Sequence, residues 1–381
     1  MDSHDILARL IAFPTVSRDS NLALIDFVRE FLGAHGVGAR LFASADGRKA
    51  NLFATIGPED RGGILLSGHT DVVPVDGQEW SSDPFAMRER EGRLYGRGSA
   101  DMKGFLASAL CMAARASGQR LRVPLHLALS YDEELGCLGV RSLIEAMGTW
   151  PHRPRLCIVG EPTLLKTAIG HKGKMALRAR CCGQSAHSAF PDQGINAIHL
   201  AAELIARVRA RQSDIDAHGA RDPAYAVPTT TLHVGTIRGG TALNIVPEHC
   251  EMDLEIRNIA ADDPALLLDA LRDDAARIAR AAARPGLPAG IDIAVTNEYP
   301  GLETPRESEV VALTTALTGD PECIKVAFGS EGGLFSGRLG IPTAVCGPGS
   351  IDQAHKADEF LASEQLARCD AMLAALLERL Q

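Results

Sequence analysis

Residues 122–137 read RVPLHLALSYDEELGC. From Arg122 to Leu129 apolar and polar residues alternate, the two-residue period of a β-strand. The alternation ends at Ser130, and three consecutive carboxylates follow, Asp132, Glu133 and Glu134. Packed side by side these groups repel one another, so either they lie in water on a loop or something positive holds them together.

The flanking chain supplies the layers such a strand belongs to. LALIDFVREFLGAHG (22–36) has an amphipathic helical pattern, and NLFATIG (51–57) and GGILLSGH (62–69) are short apolar runs bounded by glycine or proline, as buried strands are. KGFLASALCMAARASG (103–118) reads as a helix stopped by Gly118, and RLCIVGEP (155–162) as another strand. This alternation predicts an α/β layer with a mainly parallel sheet.

From Lys174 the order changes. Strand KMALRARCCG, helix GINAIHLAAELIARVRARQ, strands TTTLHVGTIRG and HCEMDLEIRNI, helix DPALLLDALRDDAARIARAAARPG and strand GIDIAVTNE follow in turn. That is β-α-β-β-α-β, the split arrangement of a ferredoxin-like α+β domain. The α/β pattern resumes near Glu303 with ESEVVALTTALTG, IPTAVCG and SEQLARCDAMLAALLERL. The expectation is a two-domain α/β protein: a catalytic domain formed by 1–173 and 299–381, interrupted by a ferredoxin-like domain at 174–298.

Composition narrows the class. With 381 residues there is room for two cores, and 46% hydrophobic with 23% charged residues is ordinary globular usage. A formal net charge of -9 argues against a nucleic-acid partner. No basic n-region opens the chain and no apolar run approaches the roughly 18 residues of a membrane span, so neither a signal peptide nor a membrane partner is expected. Nine scattered cysteines without a CxxC suggest reduced thiols and a cytoplasmic protein.

Four further stretches put ligand-type residues at the ends of predicted strands: SGHTDVVP, GRGSADMKG, VGEPT and GSIDQAHKADE. Sites in open α/β sheets gather outside the carboxyl ends of strands. His69, Asp71, Asp101, Glu133, Glu134, Glu161 and His355 are therefore expected to converge on one crevice. Imidazoles and carboxylates are ligands that zinc accepts. In extended chain His69 and Asp71 share a face, so Asp71 would hold the ring N–H that His69 does not use on a metal. Taken singly, Asp101 reads as a helix cap, Glu161 as the start of a turn before Pro162, and His355 as a loop histidine.

The strings SGHTDVVPVDGQEWSSDPF, LYGRGSADMKGF, SYDEELGCLG, VGEPT and GPGSIDQAHKADEF resemble the M20 metallopeptidases and deacylases, and the resemblance runs from about Ile11 to the C-terminus. It is nearest to those members that release acetate from N2-acetyl-L-ornithine in arginine biosynthesis. It implies two zinc ions per subunit, or zinc with cobalt, with His69, Asp101 and Glu161 serving one ion and Asp101, Glu134 and His355 the other. It also implies a cis peptide after Asp101, Glu133 as the general base acting on a metal-bound water, and His187 as the donor that polarises the scissile carbonyl. A homodimer formed through the small domain, acting on a small-molecule N-acyl amino acid, completes the picture. Adjacent residues of extended chain point different ways, which would let Glu134 ligate while Glu133 faces the water.

Arg257, ending a strand in LEIRN, has the fork that suits a substrate carboxylate, and Asn244 in ALNIVPE offers one more hydrogen bond. Glu331 in FGSEGGLF is expected to face the cationic amine of an ornithine side chain. Here Ser330 stands where acetylornithine-cleaving members tend to have threonine, and Gly332 where alanine is frequent. Rival readings are a broader N-acyl-amino-acid deacylase, a succinyl-diaminopimelate desuccinylase and a metal-binding relative without catalysis. A nucleotide-binding α/β protein has little support, because neither GxGxxG opening a helix nor GxxxxGK[ST] occurs.

Overall fold

The computed structural model describes all 381 residues, Met1–Gln381, in two compact units. The first comprises Met1–His171, Leu302–Val326 and Ser330–Gln381; the second comprises Lys172–Gly301 with Ala327–Gly329. No helix is long and apolar enough to cross a membrane.

The first unit is built on a nine-stranded sheet. In spatial order its strands are β1 (Ala39–Ala43), β2 (Ala50–Ile56), β6 (Leu125–Ser130), β3 (Ile64–His69), β7 (Leu156–Pro162), β15 (Thr343–Gly347), β8 (Thr167–His171) and β13 (Leu302–Glu303), with β14 (Cys323–Val326) also pairing β8. The centre, β6-β3-β7-β15, is parallel, while β1-β2, β2-β6, β15-β8 and β8-β13 are antiparallel. The sheet is thus mixed rather than mainly parallel. Parallel neighbours need a crossover helix, and the flanks lack one: β1 and β2 are joined by a short turn, and β8 follows β7 after four residues.

Helices α1 (Ser3–Ile11), α2 (Leu22–Ala34), α3 (Gly104–Ser117), α4 (Val140–Gly148), α7 (Glu309–Thr318), α8 (Gly332–Leu339) and α9 (Ser363–Leu380) belong to this unit. So does a small sheet of β4 (Arg88–Arg90), β5 (Arg93–Tyr95) and β16 (Phe360–Ala362). α3 is buried along nearly its whole length and packs with α1 and α9 in one core with β2, β3, β6 and β7. Two glycines let it approach the sheet. A Cβ at Gly160 would sit 2.0 Å from the Phe105 ring, and one at Gly68 would meet Met102 and Leu106 at 2.9 Å. Each glycine immediately precedes a candidate site residue, Glu161 or His69, so the close approach brings the Asp101 segment against both strand ends.

The second unit is a four-stranded antiparallel sheet in the order β10 (Thr231–Gly239), β11 (His249–Asn258), β9 (Gly173–Cys182), β12 (Gly290–Tyr299), with α5 (Ala197–His218) and α6 (Pro264–Ala282). Inward residues of β9 and β11, among them Met175, Leu177, Ala179, Met252, Leu254 and Ile256, pack with Leu200, Leu204, Leu271 and Ile278 of the helices. Chain order and strand order give the β-α-β-β-α-β ferredoxin-like arrangement read from the sequence.

Candidate metal centre

The three parallel strands β6, β3 and β7 end on the same side of the sheet, which fixes where the polar residues go. His69 closes β3, Ser130 closes β6 just before the acidic run, and Glu161 is the penultimate residue of β7. Asp101 arrives from the segment Ser99–Lys103 ahead of α3, and His355 from the loop between β15 and β16. Asp101 does not cap α3: that helix starts at Gly104, and the Asp101–Met102 peptide is cis. Seven non-glycine residues have positive φ, and all but Glu91 lie on the loops around Glu133, Glu161 or His355: Asp132, Cys137, Leu164, Leu165, His355 and Asp358. Such conformations gather where the surroundings hold a functional geometry.

His69 is fixed from one side. Its Nδ1 lies 2.8 Å from the backbone carbonyl of Asp71 and must donate to it. Nε2 then faces Asp101 Oδ1 at 3.0 Å and Glu161 Oε1 at 3.9 Å. In the neutral ring this aims a lone pair at two carboxylate oxygens, an arrangement that asks for a proton or a cation between them. The other oxygen of Asp101, Oδ2, faces His355 Nε2 at 3.2 Å, and that nitrogen also lies 3.1 Å from Glu134 Oε2. Asp101 therefore stands between two imidazoles with one oxygen toward each.

Donor atoms of His69, Glu133 and Glu161, and those of His69, Asp101 and Glu134, fall within 4.8 Å of one another. The electrostatics are those of acids short of positive charge. Burial pushes Glu133 up to about 8, with Glu134, Glu331 and Asp71 adding to the shift and His69 opposing it. Burial, and then the Asp101 charge, raise both Glu161 and Glu134. Asp101 goes the other way: burial would raise it, but hydrogen bonds from His355 and His69 outweigh that and hold it low. His355 is raised to about 10 by Asp101 and Glu134. Buried carboxylates with this little compensation, arranged around two imidazoles, fit a pair of divalent cations.

Two details depart from the extended-chain reasoning. The carboxylate of Asp71 lies near His69, Oδ1 3.7 Å from Nδ1, without hydrogen-bonding it; Oδ1 accepts the backbone N–H of Glu133 at 3.1 Å, and Oδ2 accepts the N–H of Glu134 at 3.3 Å and the Ser17 hydroxyl at 2.7 Å. The chain has left the strand at Thr70, and the Asp71 backbone carbonyl, not its carboxylate, takes the His69 ring N–H. Likewise Glu133 and Glu134 lie in a turn closed by the N–H groups of Gly136 and Cys137 donating to the Glu133 carbonyl, at 2.6 and 2.8 Å. The turn, rather than strand alternation, separates the two side chains.

Asp132, which the sequence leaves without a role, pairs with Lys49, whose ammonium also donates to the carbonyl of Ser17. Both side chains are only 14% exposed. Sequence reading missed Lys49, Ser17, Arg97 and Glu359. The usable signal for Arg97 was a cation among the small residues of GRGSADMKG, a wholly buried stretch; Glu359, in HKADEF among exposed and half-buried neighbours, gave none.

The residues from 65 to 379 match the model of peptidase family M20/M25/M40. The chain belongs to the M20 family. Among its relatives, the acetylornithine deacetylase of Proteus mirabilis is 35% identical over 365 residues, covering 94% of this chain and 91% of that one. The acetylornithine deacetylase of Myxococcus xanthus is 35% identical over 383 residues, covering 97% and 94%. In fold, the M20 family metallo-carboxypeptidase Sso-CP2 from Sulfolobus solfataricus superposes with a TM-score of 0.79 at 20% identity, over 99% of each chain. The protein is thus an M20 metallohydrolase with a candidate dinuclear site.

The remaining residues singled out in this M20 chain divide between the units. Glu331, in the first, is buried and accepts from Ser67 Oγ at 3.1 Å. Burial raises it to about 7, with the Ser130 hydroxyl and His69 holding it back. His187, Asn244 and Arg257 are in the second unit. His187 pairs with Ile245 in an isolated bridge, its Nδ1 accepting the Ala189 N–H at 3.0 Å, and the Asn244 carbonyl accepts from the Ser188 N–H. Arg257 donates through Nε to Glu255 Oε1 at 2.8 Å.

Proposed function

We propose that this chain is an acetylornithine deacetylase, a metal-dependent amide hydrolase that removes acetate from N2-acetyl-L-ornithine in the cytoplasm. The observation that carries the reading is the set of relatives of that name, 35% identical over nearly the whole of both chains. The convergence of His69, Asp101, Glu134, Glu161 and His355 supports its chemistry. His69, Asp101 and Glu161 would hold one ion and Asp101, Glu134 and His355 the other, with zinc, or zinc with cobalt, as the metal. Bound ions of this kind polarise a carbonyl and lower the pKa of coordinated water.

The chain's own groups have definite tasks. Glu133, next in the chain to the proposed ligand Glu134, takes a proton from the attacking water and later returns it to the leaving amine. Asp71 holds the Glu133–Glu134 turn through two backbone N–H groups. His187 donates to the developing oxyanion, Arg257 receives the α-carboxylate with Asn244 beside it, and Glu331 faces the side-chain ammonium. The working form is a homodimer.

The test is amine release by metal-loaded protein from N2-acetyl-L-ornithine, N-acetyl-L-methionine and N-succinyl-diaminopimelate in parallel. Preference for the first is expected. Preference for either of the others keeps the site and changes the substrate, and two bound ions without hydrolysis would overturn the enzymatic reading.

A further inference from the structure

One buried ion pair beside the candidate centre is used by none of the chemistry above. Arg97 and Glu359 are each 1% exposed and meet at 2.8 Å, Nη1 to Oε2. Glu359 is saturated with donors. Oε2 also accepts the Gly98 N–H at 2.9 Å, and Oε1 accepts the N–H groups of Ala100 and Asp101 at 3.0 and 3.1 Å. The carboxylate therefore grips the backbone that presents Asp101.

Arg97 reaches the other way. Nη1 donates to the Lys356 carbonyl at 3.3 Å, and Nη2 donates to Oε1 of Gln78. Gln78 in turn donates through Nε2 to the carbonyl of His355 at 3.0 Å. The guanidinium lies over the Trp80 ring, 5.0 Å from its centroid, and Trp80 Nε1 donates to Gln78 Oε1 at 3.1 Å. On the same stretch Asp358 accepts from the N–H and the hydroxyl of Ser81. His355 needs such support: it has a positive φ, sits in a loop and is 49% exposed, unlike His69 at the end of a central strand.

We infer that the Arg97–Glu359–Gln78 chain is a clamp that fixes the His355 loop against the Asp101 segment, so that the ion served by His355 is held only while the clamp is intact. Arg97, Glu359 and Gln78 are positioning residues, since none is among the proposed ligands. The inference rests on the two-ion reading above. It predicts unequal sites: the one containing His69 has two of its three ligands on strand ends and shares only Asp101 with the clamp, whereas the one containing His355 relies on the clamp for Asp101 and for the His355 loop as well.

Metal-loaded wild-type protein and the Gln78→Ala, Arg97→Lys and His355→Ala variants are dialysed against zinc buffered by graded chelator, and bound zinc per chain is counted. Wild type is expected to keep two ions, and His355→Ala to lose one. Gln78→Ala and Arg97→Lys should lose that same single ion at free zinc at least about tenfold higher than wild type does, the size of effect that partners behind a ligand have on affinity. The metal-free melting temperature of Gln78→Ala should match wild type, which a merely structural role would not give together with selective zinc loss. Retention of both ions at wild-type free zinc overturns the clamp, as does loss of both together. If Arg97→Lys does not fold, Gln78→Ala decides alone. A wild-type chain that never holds two ions defeats the two-ion reading itself, whereas two ions in every variant except His355→Ala defeat only the clamp.

Discussion

Two acidic regions of this molecule handle their charge in opposite ways. On the outer face of β9 and β11, each acid sits beside a base: Arg178 with Asp253 and Glu251, Arg180 with Glu251, and Lys174 with Glu255. At the strand ends of the larger sheet Asp101, Glu134 and Glu161 crowd onto His69 and His355, and Glu133 joins them with its own titration displaced to about 8. The first pattern is complete as it stands. The second is complete only with added cations, which is why the same residue types signal a sheet surface in one place and chemistry in the other.

The largest consequence concerns Glu133. Its replacement by glutamine keeps the shape and removes the proposed proton acceptor, so on that reading kcat should fall by about 10²–10⁴, with two ions still bound. Steady-state kinetics beside a zinc count checks this. A loss below about tenfold would mean that another group is the base.

Lys49 is the nearest true cation to the acidic run, and it is spent on Asp132 rather than on the cluster. Lys49→Met leaves Asp132 partly buried without its partner and should cost about 3 kcal/mol in denaturant unfolding. Because the pair anchors the turn bearing Glu133 and Glu134, kcat should fall as well, with Km little changed. Unaltered kcat in a destabilised protein would reduce the pair to a fold contact.

The shortage of positive charge also sets a pH trend. Glu133 binds its proton more tightly folded than unfolded, and so does His355, raised to about 10. Between pH 5 and 9 these groups, joined by Glu331 and Glu161, give the folded metal-free chain extra protons. They outnumber Lys103, lowered by burial to about 7, and His126, lowered by burial to about 4, which act with the opposite sign. Stability should therefore fall as pH rises. Asp101, held low, acts with the opposite sign, but only below its ordinary range. Zinc binding requires deprotonated ligands and strengthens with pH, so the loaded protein should lose this downward slope. Thermal melts of chelated and loaded protein across that range check it; parallel slopes would mean that ions do not complete the cluster.

Much of this was readable from the chain, and the limits are physical. Strand 125–130 followed by acids, the glycine-bounded strands at 51–57 and 62–69 and the split β-α-β-β-α-β order are local patterns, and local patterns survive in a sequence. The antiparallel flanks were not readable, because β1, β8 and β13 are short and β8 finds its antiparallel partners, β13 and β15, far along the chain. The reach of Asp71 to the Glu133 turn, the Lys49–Asp132 pair and the Arg97–Glu359 contact join residues 62, 83 and 262 positions apart. No periodicity encodes such distances. Adjacency in sequence put Asp71 on His69, and tertiary structure sent its carboxylate to the turn.

The smallest effect tests the other half of the contrast. Arg180 and Glu251 face each other in register across β9 and β11 and bond at 2.8 Å, with side chains 60% and 43% exposed. Water already solvates both groups there, and Glu251 keeps Arg178 at 3.5 Å if Arg180 is removed. A double-mutant cycle of Arg180→Ala and Glu251→Ala should return a coupling of only about 0.2–1 kcal/mol, shrinking further in high salt as exposed charges are screened. A coupling of several kcal/mol that resisted salt would place this face out of water. The charge ladder would then be an interface, and the distinction between a self-sufficient surface and a cation-requiring site would have to be redrawn.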